Sequence, residues 1–67
     1  MNDLEILPEV TDPPSHEEWE FMVRNSDSQG AIALRLHALY CLGRGNTQWL
    51  EYVVLAERVM HERCIRF

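Results

Sequence analysis

QGAIALRLHALYCLGRG, residues 29–45, decides how the rest of this chain is read. Between Ala31 and Leu42 the strongly polar residues are Arg35 and His37 alone. At about 100° per residue the others fall on every side of a helix. A surface helix of a small domain shows one apolar stripe and one solvated face, so a helix that is apolar all round must be covered all round. With 67 residues, little is left over to cover it: a domain near 60 residues buries only about 60% of the surface its unfolded chain exposes.

Upstream of this stretch, PPSHEEWEF carries a capping box. Ser15 can accept from the Glu18 backbone N–H while the Glu18 carboxylate reaches back, and Glu17 and Glu18 sit where the helix dipole favours anions. A first helix, A, is expected over about residues 16–42. The segment RNSDSQG is rich in poor helix formers. Yet a straight run would put Trp19, Met22, Val23, Ser26, Gly30, Ala33, Leu34, His37 and Cys41 along one side. The expectation is therefore one long helix, bent near residues 25–30. The alternative is two helices with a tight break, Ser26 and Gln29 forming a second capping box.

Downstream, GRGN ends helix A: Gly43 or Gly45 can take the left-handed conformation that closes a helix, and Asn46 or Thr47 can cap the next. Helix B is expected over about residues 47–65. Trp49, Tyr52, Val53, Ala56, Val59, Met60, Cys64 and Phe67 make its broad apolar face, widened by Leu50 and Val54. Residues 1–14, with Pro8, Pro13 and Pro14, read as an acidic, extended arm because proline forbids a continuous helix there.

The expected fold is thus all-α: an antiparallel two-helix hairpin over residues 15–67, following the extended arm. A short connection makes the two helices neighbours, but both carry more apolar circumference than one hairpin hides. Pairing of two hairpins about a twofold axis, into a homodimeric four-helix core, supplies the missing cover. Trp19, Val23, Leu34, Leu39, Trp49, Val53, Ala56 and Met60 are the expected core and dimer positions. Arm residues folding back over the open side are the competing cover.

Charge narrows the partners. Residues 1–20 hold seven carboxylates and no Arg or Lys, whereas the remainder holds six arginines against four carboxylates. DNA contact needs a concentrated basic face. Helix B instead opens TQWLEYVVLAE, so a helix-turn-helix regulator is the weaker alternative, and no direct nucleic-acid binding is expected. Two cysteines make no disulfide scaffold and MNDLEILPEV has no signal-peptide pattern, which points to a reducing, cytoplasmic setting. The longest apolar run is about 12 residues, short of the roughly 20 that span a bilayer.

His37 with Cys41, and His61 with Cys64, have the helical spacing of two ligands on one zinc ion. In a hairpin turning near residue 45, however, the two pairs lie about 12 Å apart along the axis. Cys41 and Cys64 are separated further still, beyond disulfide reach. Packed cysteines and boundary histidines are the favoured reading, with no metal and no cofactor. No nucleophile–base motif or phosphate loop points to an enzyme. Aromatic and Arg side chains that anchor interfaces leave Phe21, Arg24, Tyr40, Arg44 and Tyr52 as candidate partner-binding residues.

A capped helix opening EEWEFMVRNS, a short GRGN turn and a second amphipathic helix with an Arg-rich tail together resemble small accessory proteins of temperate bacteriophages. The likeness is to the dimeric helical-hairpin type that restrains host regulators, such as phage quorum-sensing anti-activators. It covers residues 15–67 in architecture, so no site residue is carried over. What it implies is stoichiometric inhibition of a host protein in the bacterial cytoplasm: a LuxR-type transcriptional activator at its DNA-binding domain, or a pilus-assembly ATPase. A structural subunit of a larger assembly is the remaining alternative.

Overall fold

The computed structural model describes residues 12–67, which form three helices and no strand. The arm expected over residues 1–14 therefore lies mostly outside the described residues. Helix α1 spans His16–Asn25, α2 Ser28–Gly43 and α3 Trp49–Glu62. The all-helical expectation holds; one continuous helix over 16–42 does not.

The first helix starts as the sequence reads, with the Ser15 hydroxyl accepting from the Glu18 N–H at 3.1 Å. It then stops ten residues later. Ser26 leaves the helix with ψ 158° and its hydroxyl donates back to the Met22 carbonyl at 2.6 Å. Asp27, also extended, starts α2 by accepting from the Gly30 N–H at 2.7 Å. The cap is thus Asp27, not Ser26 with Gln29. The physical reason for the break is tertiary. Folded back, α1 lays Trp19 and Val23 onto α3 and buries both, worth about 1.5–3 kcal/mol per large apolar side chain. An extended α1 would leave them in water.

Pairings along α3 fix the directions. His16 meets Glu51 and Arg24 meets Glu62, so α1 runs parallel to α3. Arg35 meets Glu57 and the His37 ring meets Trp49, so α2 runs antiparallel to it. The Arg35–Glu57 contact centres the α2–α3 turn on residue 46, one residue from the expected position.

Both ends of that hairpin close with the same six-residue device. After α2, Asn46 N–H reaches the Cys41 carbonyl at 3.2 Å and Gly45 N–H the Leu42 carbonyl at 3.0 Å, with Gly45 at φ 106°. After α3, Ile65 N–H reaches the Met60 carbonyl at 2.8 Å and Cys64 N–H the His61 carbonyl at 3.0 Å, with Cys64 at φ 60°. These are Schellman closures, which need a left-handed residue at the position after the cap. Asn46 also starts the turn into α3, its side-chain oxygen accepting from the Gln48 N–H at 3.2 Å.

The core lies where the three helices meet. Trp19, Trp49 and Tyr52 pack edge to face, with centroids 5.3 to 5.9 Å apart, beside Val23, Val59, Met60 and Cys41. The Trp19 indole N–H donates to the Tyr52 carbonyl at 2.9 Å, satisfying the polar edge that a buried indole carries. Small residues on α2, Ala31 and Ala38, let the helices approach closely.

Candidate protein interface

The question raised by residues 29–45 is answered only in part by this fold. Ala31, Ala38 and Cys41 of α2 are buried, and Ile32, Leu34, Leu39, Tyr40 and Leu42 pack half-buried against the core. The far side of the helix stays open. Residues three and four apart share a helix face. Around Arg35 that face carries Ile32 and Leu39, with Leu36 between them; around Glu57 on α3 it carries Val54 and, one turn on, Leu50. The Arg35–Glu57 ion pair, 2.9 Å long, bridges the two rows. Leu36, Leu50 and Val54 are 55%, 53% and 57% exposed. The Phe67 ring closes one end, 4.5 Å from the Arg35 guanidinium carbon and 5.7 Å from the His61 ring. Leu36 on α2 and Leu50 and Val54 on α3 are thus the exposed apolar side chains nearest this internally neutralised pair in sequence, the α2–α3 seam below, and Val54 also borders the cleft that His16, Glu20, Glu51 and Arg58 line between α1 and α3.

A second exposed feature lies on the outer side of α1. Phe21 is 66% exposed, with Met22 beside it. Arg24, one turn on, is held by Glu20 at 2.7 Å and by Glu62 at 2.9 Å. The hydrogen bonds it donates, to Glu20 first and Glu62 second, raise its guanidinium above the ordinary arginine value. Arg24 thus ties α1 to α3 while its side chain stays exposed.

Of the remaining expected anchors, Tyr52 is turned inward, as its place on the apolar face of the last helix allows. Its ring is buried against Trp19 and Trp49, stacks on His16 at 4.6 Å, and its hydroxyl donates to the Pro14 carbonyl. Its place is the core. Tyr40 is half-buried, and Arg44 is exposed with its guanidinium 5.9 Å from the Tyr40 ring. Among the expected core positions, Trp19, Val23, Trp49, Val53, Ala56 and Met60 are buried within the single chain, while Leu34 and Leu39 are half-buried. Phe67, Leu36 and Val54 were legible only as surplus apolarity, because the seam exists only once α2 and α3 are in register.

Of the two cysteines, Cys41 is packed in the core and Cys64 is not. Cys41 is buried, its sulfur 3.6 Å from His37 Nε2, while the His37 ring stands edge-on to Trp49 at 5.3 Å. Cys64 is exposed beyond the end of α3, and both thiols are free. Among the described residues no three His, Cys, Asp or Glu side chains gather as metal ligands, and no helix is long and apolar enough to cross a membrane. Arg24, Arg35 and Arg63 are engaged internally, Arg63 donating to the Val23 carbonyl at 2.7 Å and so capping α1. No family model, curated protein or solved structure matches the chain.

Proposed function

We propose that this chain is a non-enzymatic protein-binding module that works as a twofold homodimer, its α2–α3 seam facing the seam of a second copy. The observation that carries the reading is the exposure of Leu36, Leu50 and Val54, each more than half open. Sheltering each of these side chains from water is worth up to about 1.5–3 kcal/mol. In such a pair α2 and α3 of both copies meet as four helices, with α1 on the outside. Each copy brings Arg35 already paired with Glu57, so no unpaired charge is buried, the arrangement that costs most.

The architecture-level resemblance extends this reading to use: the dimer restrains a bacterial host protein stoichiometrically. The first candidate is the DNA-binding domain of a LuxR-type activator, the second a pilus-assembly ATPase. A net charge of −5 favours a basic DNA-reading surface over DNA itself.

Leu36→Glu and Val54→Glu test the seam. Each should convert a two-chain particle to a single chain in light scattering, while Phe21→Ser leaves the mass at two chains. Two-chain mass in both seam variants sinks the proposed pairing. For the use, the purified chain should co-elute with such an activator's DNA-binding domain and release it from its promoter. A salt-sensitive gel shift by the chain alone would instead identify a DNA-binding regulator.

A further inference from the structure

We infer that the outer face of α1, centred on Phe21, is the docking surface for the protein partner, and that the partner presents an apolar socket ringed by arginine or lysine. This deepens the proposal that the chain binds a protein, and it separates the partner's surface from the self-pairing seam.

The argument starts from what local structure explains and what it does not. Glu17 and Glu18 fall in the first turn of α1, where any helix favours acids. Phe21 has no such explanation. It is 66% exposed, the most open of the large apolar side chains among the described residues, and it lies opposite the Trp19–Val23 side that packs on α3. Residues three and four apart are neighbours on a helix, so Glu17 and Glu18 border Phe21 on one side and Arg24 and Asn25 on the other.

The charges on those borders are unequal. Arg24 spends its charge on Glu20 and Glu62, and the Asn25 amide donates to the Phe21 carbonyl at 2.8 Å. His16, the other basic group of this helix, turns away to Glu51 and the Tyr52 ring. Among the described residues neither the Glu17 nor the Glu18 carboxylate has an ion-pair partner. An exposed aromatic with a net acidic border is complementary to an apolar socket with a basic border. Aromatic side chains are enriched at interface centres, and complementary charge sets register and encounter rate.

The test uses the full chain, isotope-labelled, titrated in an NMR experiment with three synthetic helical peptides. One combines arginine and leucine, one replaces the arginines with glutamine, and one replaces the leucines with serine. The Arg/Leu peptide should shift resonances over residues 17–25 and bind about tenfold more tightly than either counterpart. Phe21→Ser, which leaves net charge unchanged, should weaken it about tenfold; Glu17→Gln with Glu18→Gln should weaken it and flatten its salt dependence. Circular dichroism of each variant checks that the fold is intact.

The inference is overturned if shifts map to α2 and α3, if Phe21→Ser binds as the parent does, or if the Arg/Ser peptide binds equally well. That last result would mean undirected charge attraction. Light scattering on the same samples reads self-pairing separately, so loss of one claim is distinguishable from loss of the other.

Discussion

Cys64 sits where glycine is the usual occupant. Its φ of 60° places a side chain in the left-handed region, which costs a non-glycine residue about 1–2 kcal/mol, yet the closure of α3 needs that geometry. Cys64→Gly should therefore stabilise the fold by about 1 kcal/mol, raising Tm by roughly 4–8 °C in a chain of this size; a lowered Tm would show that the thiol makes a compensating contact. At Trp19 the sign is opposite. Trp19→Phe removes the indole N–H bonded to the Tyr52 carbonyl and part of the packed volume, so unfolding in denaturant should ease by about 1–3 kcal/mol. Much of this was legible in the sequence. Trp19, Trp49, Ala56 and Met60 fall on the sides that the apolar period marks. Tyr52 shares a face with Trp49, Ala56 and Val59, and as an aromatic it served equally as a core residue and as an interface anchor. What the sequence could not show is that the Pro14 carbonyl waits to accept it.

At the scale of the helices, the break between α1 and α2 separates what periodicity can decide from what it cannot. RNSDSQG is compatible with a bend or a stop, since each of its residues weakens a helix without forbidding one. The choice is made by long-range contacts: Trp19 and Val23 on α3, Arg63 on the Val23 carbonyl and Arg24 on Glu62. None of these is visible as local sequence. The identity of the cap is testable. Asp27→Ala should cost about 1 kcal/mol, whereas Ser26→Ala, which loses only a hydroxyl bonded back to Met22, should cost clearly less; the reverse order in thermal melts would move the cap to Ser26. Gly30→Ala adds a second check. A glycine replaced by alanine in a helix gains up to about 1 kcal/mol, and Gly30 is the third residue of α2. Here the new Cβ would meet Ser26 Cβ at 3.0 Å and the capping Asp27 Oδ1 at 3.1 Å. No net stabilisation is expected, and a gain of the full amount would mean that the cap yields without cost.

For the molecule as a whole, the fold relocates the imbalance read in residues 29–45 without removing it. Folding α1 back covers one flank of α2 and α3, which explains why the chain is a three-helix bundle and not a bare hairpin. Leu36, Leu50 and Val54 stay open. A chain this small has a thin stability margin, so self-association is the most economical source of further burial, and stability should then depend on concentration. Sedimentation equilibrium of the native chain, with helicity followed on the same samples, measures this directly. The account expects a particle of twice 7.9 kDa at tens of micromolar, dissociating on dilution with a parallel loss of Tm. A single-chain mass at every concentration, with Tm and helicity unchanged on dilution, would contradict it.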